Sequence, residues 1–170
     1  MAAQEDRLFE AKIEDCLRLG EKRPAFLGFL DLSERAYAEE YLNDVVENQG
    51  KLFDLVAQQY SDKDTEEFIN TYMASKTRKS IDEAKAYVNT MDAKELWAYF
   101  TETENYCLKD GKALEGFMPS WIGEFYAYYQ WYYNLPSAEL VKKIPISFLK
   151  KAYAGLHDLS LIHISEPTRH

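Results

Sequence analysis

The sequence predicts an all-α protein, a helical bundle of seven to nine helices, on three observations. No stretch of strand length alternates polar and apolar residues, the period-2 pattern of a half-buried strand. Asp or Ser followed three residues later by Glu occurs four times at helix starts, at Asp31/Glu34, Asp64/Glu67, Ser80/Glu83 and Asp92/Glu95. In such a capping box the first side chain accepts from a free backbone N–H, and the Glu reaches back to the cap residue. Only seven glycines and five prolines punctuate the 170 residues.

The elements follow in order. A first helix is expected from about Glu5 to Leu19, ended by Gly20, with Phe9, Ile13, Cys16 and Leu17 on one face. A loop with Pro24 and Gly28 leads to a second, from about Leu32 to Glu47, burying Tyr41, Leu42, Val45 and Val46. These two make an N-terminal helical hairpin, residues 1–48, ended by Gly50, with a seam at Asn48 to Lys51. The bundle domain, residues 51–158, opens with helices at about Leu52–Gln59, Thr65–Ser75, Ile81–Asn89 and Ala93–Cys107. Their apolar anchors include Phe53 and Val56, Phe68 and Tyr72, Ile81 and Val88, and Leu96, Trp97 and Phe100. Lys109 to Pro119, with Asp110-Gly111 and Gly116, reads as a loop. Ser120 then caps a helix from Trp121 to Tyr133 that Pro136 closes, and Ser137 caps a short helix to Lys143. Pro145 breaks it, and a last helix runs from about Ile146 to Ala154 before Gly155.

Composition bounds the function. An apolar share of 46% with 15% aromatics is too rich for a disordered chain. No apolar run approaches the roughly 20 residues that span a bilayer, and the acidic start MAAQEDRLFE lacks the order of a secretory signal. Cys16 and Cys107 are lone and far apart, which fits reduced thiols in the bacterial cytoplasm and neither a disulfide framework nor a metal pair. A net charge of −9 repels phosphate backbones and anionic lipid, so nucleic acid and membrane are not expected as partners. A basic protein suits this surface better.

The aromatic helix carries the most information. At about 100° per residue, Trp121, Phe125, Tyr128, Tyr129 and Tyr132 share one arc, with Ile122, Tyr126 and Tyr133 along its edge. This arc reads as the core face of the bundle. Gly123, Ala127 and Gln130 lie opposite, a strip of mostly small residues that another helix can approach closely. Trp131 leaves the main face beside Glu124, so it is the expected exposed anchor for a protein partner, with Tyr126, Tyr133 and Trp121 as further binding residues.

Signals for chemistry are thin. His157 and Asp158 are adjacent and point apart on a helix, and neither cysteine has a histidine in a nucleophile motif. No HExxH, GxGxxG, GxxxxGK or ExxH pattern occurs, so no catalytic centre, metal or cofactor is expected. Lys76-Thr77-Arg78-Lys79 reads as a solvated loop at a helix junction.

Two stretches resemble known families. The runs Asp6 to Lys12, Asp15 to Leu19 and Lys22 to Asp31 resemble the N-terminal helical element of an S4-domain RNA-binding protein family encoded near cell-division genes. The Gly-Gly-Tyr-containing continuation of that family is missing after Leu42, and no basic S4 segment follows. Further on, Leu52, Phe53, Leu55 to Gln58, then Phe68, Ile69, Thr71 to Met73 and Ser75, then Trp121 to Gly123, Tyr126, Tyr128, Trp131 and Tyr133, with Ser137, Tyr153, Leu156 and His157, resemble a helical, antitoxin-like Firmicutes family. This second resemblance covers residues 51–158 and implies a helical protein encoded beside toxin-like genes. The last residues, LSLIHISEPTRH, are similar to translated sequencing adapter from Leu159 to Arg169. A native chain ending near Asp158 in this record, truncated before a further helix, is the corresponding expectation, with residues 159–170 a non-native tail. Removing them deletes one acid, Glu166, and one base, Arg169, and leaves the net charge at −9.

The function expected from these readings is a non-enzymatic, antitoxin-like binding module that neutralises or docks onto a protein encoded nearby. The alternative is an RNA- or ribosome-associated factor acting through the N-terminal element, with the two parts joined by fusion or assembly.

Overall fold

The structure, a computed structural model, describes residues 35–164, and side chains as far as Gly155. The first expected helix and the Asp31/Glu34 box lie outside these residues, as does most of the hairpin. The described residues are all-α: a 3-10 turn at Glu39–Tyr41 precedes eight α-helices, and no strand occurs among them. The helices are α1 (Leu42–Gln59), α2 (Thr65–Met73), α3 (Lys76–Asp82), α4 (Ala86–Asn89), α5 (Ala93–Thr103), α6 (Met118–Tyr133), α7 (Ser137–Lys143) and α8 (Ile146–Ile164). The chain divides into two compact units, of which residues 35–142 and 143–164 are described respectively.

α1 forms because Leu42, Val45, Gln49, Leu52, Phe53 and Val56 recur at helical spacing and all turn inward. Gly50, expected to end a helix and mark a domain seam, instead sits in the middle of α1. The reason is tertiary. A methyl group on Gly50 would lie 2.9 Å from the Ser120 carbonyl oxygen, and one on Gly123 would lie 2.6 Å from the Gln49 carbonyl oxygen. The two glycines let the backbones of α1 and α6 touch. That contact outweighs the roughly 1 kcal/mol that glycine costs inside a helix.

Caps set the other boundaries. Asp64 accepts from the Glu67 N–H at 3.0 Å to start α2, and Asp92 with Glu95 forms the full reciprocal box that starts α5. Ser80 is not a cap. It lies inside α3 and donates to the Lys76 carbonyl, while Ser75 takes the capping role by accepting from the Arg78 N–H at 3.1 Å. The run Lys76 to Lys79 is therefore helix rather than loop, and the helix expected at Ile81–Asn89 splits in two. Ala84, in the left-handed region at φ 58°, makes that break. α5 stops at Thr103, ahead of left-handed Asn105, so Cys107 lies in the following loop. α6 starts at Met118, before the expected cap Ser120, and ends on left-handed Asn134.

Inside the larger unit, edge-on aromatic packing joins three helices. Phe68 meets Phe53 at 5.7 Å and Trp97 at 5.3 Å, and Tyr72 meets Phe100 at 5.3 Å, in edge-to-face contacts worth about 1 kcal/mol each beyond area burial. The long loop after α5 is tied down by paired backbone bonds, Asp64 N–H to the Lys109 carbonyl and Gly111 N–H to the Asp62 carbonyl. In the smaller unit, α8 continues past Gly155 to Ile164, into the adapter-like residues. His157 and Asp158 lie in this stretch, beyond the described side chains.

Candidate docking surface and the buried arginine cluster

α6 is turned differently from the sequence expectation. Ile122, Gly123, Tyr126, Ala127 and Gln130 are buried, so the small-residue strip faces inward, where α1 approaches. The arc read as core is split: Phe125 is buried, Trp121 and Tyr129 are half-buried, and Tyr128 and Tyr132 are each 40% exposed. Close backbone approach at Gly50 and Gly123 decides the orientation over the sheer apolar mass of the arc. Among the residues expected to bind a partner, Trp121 and Tyr133 are half-buried and Tyr126 is 1% exposed.

Trp131 is the clearest correction. It is 6% exposed and cannot serve as an open anchor. Its indole N–H donates to the Tyr37 carbonyl at 2.8 Å, the Tyr37 ring lies 6.4 Å away, and the Arg35 guanidinium sits 5.0 Å over its face. On the helical wheel Trp131 does leave the inward face. The non-helical segment 35–38 then covers it, and no periodicity within α6 signals that strap.

What remains at the surface is a stripe. Glu124, Tyr128 and Tyr132 follow one another at i, i+4 spacing, all exposed. Tyr128 and Tyr132 stack at 6.0 Å with an interplanar angle of 18°, and beside them Tyr129 and Tyr133 stack at 6.1 Å and 9°. At the other end, Glu47 of α1 lies close enough to Glu124 to oppose its ionisation. Partial burial first, and the Glu47 charge second, raise the Glu124 carboxyl above its ordinary pKa. Glu47 also pairs with Lys51 at 3.4 Å and, with Asp44, Asn48 and Asp92, lines a cleft of about 210 Å³. The stripe thus runs from an acidic cleft, across two like-charged carboxylates, to stacked tyrosines.

A second feature was not read from the sequence. Arg78, inside the supposed basic loop, is 1% exposed. Its Nε donates to Ser137 Oγ at 2.8 Å and lies 3.4 Å from Asp82 Oδ1. The Ser137 hydroxyl donates to Asp82 Oδ1 at 2.7 Å and its backbone N–H to Oδ2 at 2.8 Å. Burial nonetheless raises the Asp82 carboxyl above its usual range, with Arg78 and Ser137 opposing the rise. Ser137 therefore joins α7 to α3 rather than capping its own helix. The i, i+4 spacing of Arg78 and Asp82 was the available signal. Arg78 also leaves the surface without its central cation, which removes the short basic patch.

Among the described residues, no group of three or more His, Cys, Asp or Glu side chains is placed to hold a metal ion. No helix there is long and apolar enough to cross a membrane. Cys107 is exposed and unbridged. No protein-family model, curated protein or solved structure matches the chain. The described residues thus form an all-α helical protein in which Glu124, Tyr128 and Tyr132 make an exposed stripe along α6, with Glu47 of α1 beside it.

Proposed function

We propose that the protein is a non-enzymatic docking module that binds a basic protein partner through the stripe Glu47–Glu124–Tyr128–Tyr132. The observation that carries this reading is the juxtaposition of two neighbouring carboxylates, Glu47 of α1 and Glu124 of α6, with the exposed, stacked tyrosines Tyr128 and Tyr132 along α6. Lys and Arg side chains fit both parts, relieving the carboxylate repulsion and lying over the Tyr128 ring, while Tyr132 already carries the Arg35 guanidinium 5.2 Å from its centroid. Tyrosines held in a stack lose little freedom on binding, which favours them as interface anchors. The net charge of −9 steers a basic partner in over a longer range. The resemblance of residues 51–158 to antitoxin-like proteins supports a partner encoded beside this gene, whose activity the docking neutralises.

Coexpression tests the reading. The neighbouring toxin-like gene product is expressed in a bacterial host with and without this chain. Wild-type protein restores growth, and the Tyr128→Ser/Tyr132→Ser double variant, equally abundant and folded, does not. Rescue by that variant at wild-type strength contradicts the assignment of the stripe, and absence of rescue by wild type contradicts the antitoxin-like role.

A further inference from the structure

We propose that the terminal amino groups of Arg78 form a buried site for a small oxyanion, a carboxylate or phosphate group. The argument is one of unmet donors. Only Nε of the guanidinium is engaged, by Ser137 and Asp82. Nη1 and Nη2, which carry four of its five N–H groups, are buried and have no acceptor. Asp82 is a partner of neither: its Oδ1 lies 3.4 Å from Nε, and its oxygens accept from Ser137. The Tyr72 hydroxyl stands beside the guanidinium and donates to Gln49 Oε1 at 2.8 Å. The Tyr37 hydroxyl is likewise buried without a partner and lies in the field of Arg78 and Asp82.

Buried N–H groups of a cation left without acceptors are strongly destabilising, so a fold that keeps them points to an acceptor from outside the chain. The free end is the Nη1/Nη2 fork, whose parallel N–H groups match two oxygens of one carboxylate or phosphate. A water at the same place accepts, yet must also place its own two protons. An oxyanion brings acceptors alone, and the Tyr37 hydroxyl is free to donate a further bond to it. Tyr37 belongs to the non-helical segment 35–38. This site is separate from the docking stripe and does not depend on it.

Thermal unfolding of the full chain in acetate, in phosphate and in chloride, at matched pH and ionic strength, reads the site. One or both oxyanions raise Tm saturably over chloride, by roughly 5 °C at a hundredfold excess over Kd, and the stronger arm identifies the class. Arg78→Lys, which removes the fork, abolishes the rise, and Tyr37→Phe, which leaves the fork intact, weakens it. The Nε–Hε NMR signal of Arg78 in wild-type protein shifts along the same saturation curve. Equal Tm in all three salts with an unmoved Arg78 signal overturns the proposal. A crystal structure grown from acetate or phosphate with ordered water alone at both Nη atoms overturns it as well, even where Arg78→Lys does not fold.

Discussion

Arg78 and Trp131 show how single residues depart from what their neighbours in sequence suggest. Arg78 stands in a run with Lys76 and Lys79, yet Ser137 and Asp82 hold it inside. The Ser137 hydroxyl both accepts from Arg78 and donates to Asp82, so Ser137→Ala breaks both bonds at once. That variant should lose about 1–3 kcal/mol, seen as a lower urea midpoint at unchanged slope. Tyr37 offers a test by pH. Burial, offset partly by Arg78, pushes its phenol from 10.0 up to about 12. A pKa raised on folding adds stability that is present below pH 10 and lost as pH rises through 12. Tyr37→Phe lacks this loss, so it should gain on wild type across that window. In chloride at neutral pH it should be no less stable, because the hydroxyl it removes has no partner. A parallel pH dependence for the two proteins contradicts the burial of that hydroxyl. Neither residue's role was legible beforehand: the partners of Arg78 come from α7 as well as its own helix, and the cover over Trp131 comes from a segment ninety-four residues away in sequence.

At the scale of elements, most of the fold was legible because the signals are local. Asp64 and Asp92 cap the helices that their boxes predict, and the apolar spacing of Leu52, Phe53 and Val56 buries the face of α1 that it should. Ser80/Glu83 shows the limit of such patterns. Ser75 offers the same chemistry five residues earlier, and left-handed Ala84 ends α3 where the Ser80 box would have begun a helix. Asp92→Ala should therefore cost about 1 kcal/mol, and Ser80→Ala less than about 0.5 kcal/mol, in paired chemical denaturations. The orientation of α6 was not legible, because it depends on which helix crosses it and how closely. Gly123→Ala tests that crossing. The substitution favours an isolated helix by about 1 kcal/mol, yet here its methyl meets backbone at 2.6 Å, so a net loss of about 1–3 kcal/mol is expected. A more stable variant would contradict the close α1–α6 contact.

Across the whole molecule, charge and shape act together. An acidic chain places an acidic cleft beside a tyrosine stripe, and the function proposed here follows from that placement. The sequence reading expects a basic protein partner, with the aromatic helix as the place of contact. It expected Trp131 and Tyr126 to be open because it treated α6 alone, without the α1 crossing that turns Tyr128 and Tyr132 outward or the strap that hides Trp131. Electrostatic steering makes the association rate fall as salt rises, and Glu124→Lys should flatten that dependence while leaving the fold unchanged. The most direct test is calorimetric titration of the neighbour-encoded partner with wild-type protein and with Tyr128→Ser/Tyr132→Ser, both shown to unfold at similar temperatures. The account predicts that the double variant binds at least about thirtyfold more weakly, the loss of a hot-spot pair. An unchanged dissociation constant would contradict it.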